Sequence, residues 1–365
     1  MSCDFIELAN PGVQRLHPYQ AGKPIEELQR ELGLTHIVKL ASNENPMGPS
    51  PAVIEACRAE LAEIIRYPDS NGFELKAALA AKLNVAPAQL TLGNGSNDLI
   101  DLIAKVFLGP DTSGIYSQYG FAIYALAIQA CNARGISVPA RNWGHDLQAM
   151  AAAVEEDTRL IYVANPNNPT GTAVGREELL AFLRQVPASV VVVIDEAYTE
   201  YVEDPDFPNA IELLEQFPNL VVFRTFSKAY GLAGLRVGYS VSSPQLADLL
   251  NRVRAPFNVS SVALAAAVAA LGDDDYLERS RALNREGMQQ LIRGCEEQGI
   301  PYIPSLGNFL TIEVGPDAGN LYQRLLREGV IVRPLAPYQM PNHLRVSIGL
   351  PEENAFFLDA LKRVR

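Results

Sequence analysis

The chain has 365 residues, a formal net charge of −12 and a pI near 4.9. An acidic balance of that size excludes nucleic acid and anionic membrane as general partners, because phosphate backbones demand a basic face. Hydrophobic residues make up 48% and charged residues 20%, the composition of an ordinary globular protein with room for about two domains.

The start, Met1-Ser2-Cys3-Asp4-Phe5-Ile6-Glu7, has neither the basic region nor the apolar core of a secretory signal. The apolar stretch Val262 to Leu271 is alanine-rich and too short to span a bilayer. Cys3, Cys57, Cys131 and Cys295 lie far apart, and so do His17, His36, His145 and His343. No metal site or disulfide framework is therefore expected. Scattered thiols suit a reducing cytoplasm, the expected location.

In chain order, residues 1–42 are expected to pack beside a small C-terminal domain. The first chemical signal is Gly93-Asn94-Gly95-Ser96-Asn97-Asp98, followed by an amphipathic run through Leu99, Ile100, Leu102 and Ile103. Glycines let backbone approach an anion, and a helix start aims free N–H groups at it. A dinucleotide fingerprint would need glycine or alanine at Asp98, and no strong strand is legible before Gly93. By itself the loop is equally a helix cap.

The middle alternates strands and helices. Arg159 to Ala164 reads as a strand, Glu177 to Arg184 as a helix, and Val190 to Ile194 as a strand buried on both faces. Leu220 to Phe223 gives another strand, and Val237 to Val241 a further one. Alternation of this kind predicts a mostly parallel sheet wrapped by helices, in a large domain spanning residues 43–255. Past residue 256 the texture changes. Asp275 to Gln298 reads as a long charged helix. Short strands follow at Phe309 to Val314, Val330 to Val332 and His343 to Ile348. A last helix starts near Pro351 and ends in Lys362, Arg363 and Arg365. This predicts a smaller α+β domain over residues 256–365.

Polar residues collect where the strands end: Asn165 to Thr170, Asp195 to Tyr198, and Ser227-Lys228. In open α/β sheets that edge binds ligands. A lysine closing a buried strand is costly without chemical work or a partner. Schiff-base chemistry with pyridoxal phosphate fits, since it also calls for an acid at the ring nitrogen and a phosphate cradle. Asp195, which the strand places at the edge before Glu196, suits the first need. Tyr198 and an asparagine of the 165–170 loop could reach the cofactor's phenolate oxygen.

Asn167-Asn168-Pro169-Thr170-Gly171, Asp195-Glu196-Ala197-Tyr198 and Ser227-Lys228 with Arg236 occur in that order. Together they resemble the fold-type I pyridoxal-phosphate-dependent aminotransferases. Lys39 to Pro46, Arg66-Tyr67-Pro68-Asp69 and Gly93-Asn94-Gly95-Ser96 narrow the resemblance to the histidinol-phosphate aminotransferases, over nearly the whole chain. The resemblance implies that Lys228 carries the cofactor and moves the proton, and that Asp195 pairs with the pyridine nitrogen. Asn168 and Tyr198 would contact the phenolate oxygen, and Tyr119 would stack on the ring. Gly95, Ser96, Asn97, Thr225, Ser227 and Arg236 would hold the phosphate. Tyr67 would reach the cofactor of a partner subunit, making the unit a homodimer. Arg345 would bind the substrate's acidic group, with Arg333 second and Tyr19 and Asn45 as further contacts.

The implied reaction passes an amino group from histidinol phosphate to 2-oxoglutarate, giving imidazole acetol phosphate and glutamate. The alternatives are an aromatic aminotransferase for phenylalanine and tyrosine, and a pyridoxal-phosphate-dependent decarboxylase of a phosphorylated amino acid. A cofactor-sensing regulator would need a basic helix-turn-helix segment before residue 40, and none is legible. One departure stands out. Ser96-Asn97-Asp98 replaces the family's Ser-Asp-Glu, which places in doubt any side-chain role of that acid.

Overall fold

The computed structural model describes residues 3–19 and 22–365. Its strands are β1 (Val38–Lys39), β2 (Leu90–Gly93), β3 (Ser113–Ser117), β4 (Arg134–Val138), β5 (Thr158–Ala164), β6 (Val191–Asp195) and β7 (Leu220–Thr225). Then come β8 (Gly238–Ser242), β9 (Tyr302–Ile303), β10 (Phe309–Glu313), β11 (Val330–Ile331), β12 (Arg333–Pro334) and β13 (His343–Ser347). A seven-stranded sheet has the order β2-β8-β7-β6-β5-β3-β4, and a four-stranded sheet the order β12-β13-β10-β9. Strands β4, β3, β5, β6 and β7 are parallel neighbours, and β8 runs antiparallel to β7 and β2.

The β-branched runs explain why this sheet is central. Val192, Ile194, Val222, Ile161 and Val163 pack to one side, against the helices Phe73–Leu83 and Arg176–Gln185. Val191, Val193, Leu160, Tyr162, Val221 and Phe223 pack to the other, against Ser96–Phe107 and Ala122–Ala130. Successive side chains of a strand point to opposite faces, so a continuous apolar run serves two layers. Each such side chain contributes about 1.5–3 kcal/mol of burial. Polar side chains are therefore displaced to the strand ends.

The alanine-rich helix Ser261–Leu271 packs in the first of these clusters through Ala263, Ala266, Ala267 and Ala270. It follows residue 256 in sequence but joins the core of the large sheet. The four-stranded sheet has its own core, built from Leu310, Ile312, Leu344, Val346 and Phe357. Residues from the start of the chain serve both bodies. β1 pairs in parallel with β11, while Gly12 lies against Gln129 and Asn132. β2 is a strand that sequence left illegible. It has four residues, and its pairing to β8 comes from tertiary context. Among the described residues no helix is long and apolar enough to cross a membrane.

Candidate active site

Strands β5, β6 and β7 deliver their carboxyl ends to one cavity of about 330 Å³. Asn168, Asp195, Tyr198, Thr225, Ser227, Lys228, Arg236, Ser96, Asn97, Tyr19, Arg333 and Arg345 all line it. Four cations against Asp195 and Glu44 make a locally basic pocket in an acidic protein.

Asp195 closes β6 and is 5% exposed. Its Oδ2 accepts a 2.7 Å hydrogen bond from the Tyr124 hydroxyl, while Oδ1 has no partner among the described residues. Burial pushes its pKa up to about 6, against the pull of the Tyr124 bond and the Ala197 N–H. An orphaned carboxylate oxygen in a cavity wall marks a place for a cationic ligand atom. Glu196, its neighbour, is consumed by structure. It accepts two bonds from Arg224, at 2.9 and 2.7 Å, and one from the Ala210 N–H.

Lys228 faces the same cavity. Its Nζ donates to the Ser42 carbonyl at 3.1 Å and lies 5.8 Å from the centroid of the Tyr198 ring. Burial pushes its pKa down to about 8, and Arg345 and Arg236 add repulsion. The neutral, nucleophilic form therefore accumulates as pH rises through about 8 instead of 10.5. In the cofactor-free protein, the rate of covalent pyridoxal phosphate capture should climb between pH 7 and 9 and then level off. Stopped-flow absorbance after mixing across that range checks this; a rise continuing unchanged past pH 10 contradicts it.

The phosphate end is equally specific. The helix Ser96–Phe107 begins after Gly95 at φ +78°, with no side-chain cap on its first N–H groups. A Cβ on Gly95 would lie 2.3 Å from Arg236 Nη2, so glycine is required for that approach. Arg236 donates to Ser227 Oγ at 3.3 Å, and the Ser227 N–H donates to Thr225 Oγ1 at 3.1 Å. Uncapped helix N–H groups, two hydroxyls and a guanidinium form an anion cradle. Asp98 stays out of it. Its Oδ2 accepts from the Asn94 N–H at 2.9 Å and from Asn258 Nδ2 at 2.7 Å, so the acid shapes the loop from behind.

Tyr198 receives a 3.0 Å hydrogen bond from Asn43 Nδ2, and Ser347 Oγ donates to Asn43 Oδ1 at 3.0 Å. Arg345 donates to the Asn168 side chain and, at 2.7 Å, to the Ala41 carbonyl. Its guanidinium sits 5.3 Å from the Phe309 ring, and among the described residues Nε has no partner. Arg333 is its direct cross-strand partner on β12 and lies 5.3 Å from the Tyr19 ring. Both arginines are buried, at 6% and 5% exposure. Among the described residues neither meets a carboxylate within ion-pair distance. Two buried like charges on facing positions are unfavourable without an anion between them.

Three expected residues sit elsewhere. Asn45 does not reach the cavity: Nδ2 donates to the Ala229 carbonyl and Ser280 Oγ, and Oδ1 accepts from the Met47 N–H. Every bond is taken internally, and Asn43, at φ +53°, faces the site instead. Tyr119 packs on Trp143, with ring centroids 5.3 Å apart, and its place in the cavity wall belongs to Phe121. Phe121 and Tyr124 are spaced i, i+3 at a helix start, a signal that could have singled them out. Tyr67 is 82% exposed and stacks on Phe257 at 4.7 Å, away from the cavity of its own chain. Gly95 takes part through backbone alone.

The residues present fit pyridoxal phosphate: an orphaned carboxylate for its ring nitrogen, a lysine of lowered pKa for its aldehyde, and an anion cradle for its phosphate. The sequence matches the family model for aminotransferases of class I and II over residues 35–361. It is 60% identical over 363 residues to histidinol-phosphate aminotransferase 2 of Pseudomonas aeruginosa, covering 99% of this chain and 98% of that protein. Identity to histidinol-phosphate aminotransferase 1 of Idiomarina loihiensis is 56% over 360 residues, covering 99% and 98%. Among solved structures, histidinol-phosphate aminotransferase from Sinorhizobium meliloti, in complex with pyridoxal-5'-phosphate, matches with a TM-score of 0.90 at 31% identity. That match covers 98% of this chain and 97% of the other. An aspartate aminotransferase of Thermus thermophilus shares the fold, with a TM-score of 0.83 at 22% identity, covering 94% and 97%.

Proposed function

This chain belongs to the class I and II aminotransferases, and we propose on that premise that it binds pyridoxal phosphate and transfers the amino group of L-histidinol phosphate to 2-oxoglutarate. The products are imidazole acetol phosphate and glutamate, a step of histidine biosynthesis. One observation carries the substrate reading: Arg333 and Arg345 face each other, buried and without a carboxylate, on the cavity that Lys228 lines. Such a pair matches a phosphate ester, which presents more charge and more acceptor oxygens than a carboxylate.

When bound, the cofactor supplies an electrophilic carbonyl and an electron-accepting ring. The chain's own residues supply the rest. Lys228 Nζ, whose pKa burial lowers to about 8 so that the neutral base is accessible near physiological pH, takes the proton from the donor's Cα and hands it on. Asp195 Oδ1 holds positive charge at the ring nitrogen. Asn168 and Tyr198 hold the phenolate oxygen, with Asn43 orienting the Tyr198 hydroxyl. Ser96, Asn97, Thr225, Ser227 and Arg236 hold the phosphate. Phe121 replaces Tyr119 as the ring neighbour, and Tyr19 borders the substrate.

We also read the active unit as a homodimer in which exposed Tyr67 reaches the partner's cofactor. The free thiols of Cys3, Cys57, Cys131 and Cys295 suit a cytoplasmic enzyme. The packing of Ser261–Leu271 favours a large domain that extends past residue 271, with the four-stranded sheet in the smaller one.

A panel of kcat/KM values with 2-oxoglutarate tests the substrate. Histidinol phosphate should exceed phenylalanine, tyrosine and aspartate by at least about tenfold, a margin one well-placed contact can supply. Equal or better turnover of phenylalanine and tyrosine would favour the aromatic aminotransferase, and release of carbon dioxide would favour the decarboxylase.

A further inference from the structure

A second cavity, of about 480 Å³, adjoins the first and shares Tyr19, Phe121 and Arg333 with it. Its remaining wall includes His17, Tyr116, Gln339 and Tyr338. Tyr338 ends a short turn, Ala336–Tyr338, that follows β12 directly, so the strand that sets Arg333 also sets this ring. Ile303, Leu335 and Met340 clamp it, and the residue is only 4% exposed. Among the described residues its hydroxyl has no hydrogen-bond partner. The Ala122 N–H influences it without closing a bond, and both Arg333 and Arg345 pull its pKa down against the larger effect of burial.

A buried hydroxyl without a partner costs stability, and phenylalanine would fill the same space without that cost. A tyrosine in this position needs a ligand to account for it. The neighbouring charges define which kind. Two guanidiniums without a counter-ion demand an anion, and a hydroxyl beside them can donate one more hydrogen bond to it. A planar carboxylate held by Arg345 has few acceptor sites left to offer. A phosphate ester has three terminal oxygens and reaches further.

We propose that Tyr338 is a specificity residue that donates a hydrogen bond to the substrate's phosphate, and so separates a phosphate ester from a carboxylate of the same amine. The assignment rests on histidinol phosphate being the donor. It makes the phosphate subsite a three-sided arrangement of Arg345, Arg333 and Tyr338, spanning the boundary between the two cavities.

The test uses the holoenzyme and two donors that share an imidazole and differ in their acidic group, histidinol phosphate and histidine. In Tyr338→Phe, kcat/KM for histidinol phosphate should fall about tenfold or more, mainly through KM, the usual effect of deleting a hydrogen bond to a charged group. The value for histidine should stay within about twofold. Inorganic phosphate, as a competitive inhibitor, should weaken by a similar factor. The melting temperature should hold or rise, since a buried unpaired hydroxyl is gone. Unchanged kinetics with histidinol phosphate, or an equal loss with both donors, overturns the proposal. A wild-type enzyme with no preference for histidinol phosphate over histidine overturns it too, but that failure belongs to the donor reading and appears before any variant is made.

Discussion

Replacing Lys228 with alanine is expected to lower kcat by at least about 10⁴-fold, because the change removes the proton carrier and the covalent anchor together. The surroundings explain why no other residue can substitute. Lys228 is the lysine in the cavity wall; the other cations there, Arg236, Arg333 and Arg345, are guanidiniums that stay protonated. Tyr198 is nearest by ring geometry, yet burial pushes its pKa up to about 12, so it is a poor base at neutral pH. The variant should still fold. Lys228 gives the folded state one bond, to the Ser42 carbonyl, in return for a desolvated charge. Its melting temperature should match or exceed that of the wild-type apoprotein. Borohydride treatment followed by mass spectrometry should show covalent cofactor retained by wild type and lost by the variant. Near-normal transamination by Lys228→Ala would remove the central residue from the mechanism.

The features that made this lysine visible in sequence are those that fix the fold. Runs such as Val191-Val192-Val193-Ile194 can only be buried on both faces, and their polar followers can only sit at an edge. Strand ends therefore told which residues share a crevice. They did not tell which way each loop residue turns. Asn43 and Asn45 have the same chemistry two positions apart, and the left-handed backbone at Asn43 decides which one enters the cavity. Tyr119 and Phe121 differ likewise: Tyr119 lies within the Ser117–Gly120 turn and packs on Trp143, whereas Phe121 caps the next helix and lines the cavity. The spacing of Phe121 and Tyr124 marks a helix face, but nothing local pairs Tyr124 with Asp195, which its hydroxyl reaches across 71 positions. The helix Ser261–Leu271 was hard to assign because alanine covers all its sides and no polar face reveals its orientation.

Asparagine in place of Asp195 separates charge from shape and is expected to cost kcat about 10²–10³-fold, the usual scale for deleting one preorganised electrostatic contact. An amide can still accept the Tyr124 hydrogen bond through its oxygen, so the helix Ala122–Ala130 keeps its tie to β6. It cannot balance a positive ring nitrogen. The stability of the cofactor-free protein should move the other way. The Asp195 carboxyl has a folded pKa of about 6, above its ordinary value of 3.8. Between those values the folded state holds more protons than the unfolded one, so this residue makes stability fall as pH rises from about 4 to 6. Above that window the buried charge weighs against folding, and asparagine should raise apoprotein stability by on the order of 2 kcal/mol at neutral pH. With cofactor bound the advantage should vanish or reverse, because wild-type Asp195 then meets its cation. Melting curves of both proteins, with and without pyridoxal phosphate, at pH 4 and pH 7.5 make the comparison. A variant equally stabilised in apo and loaded forms, or one that keeps kcat within about tenfold of wild type, would mean that Asp195 does not face the ring nitrogen.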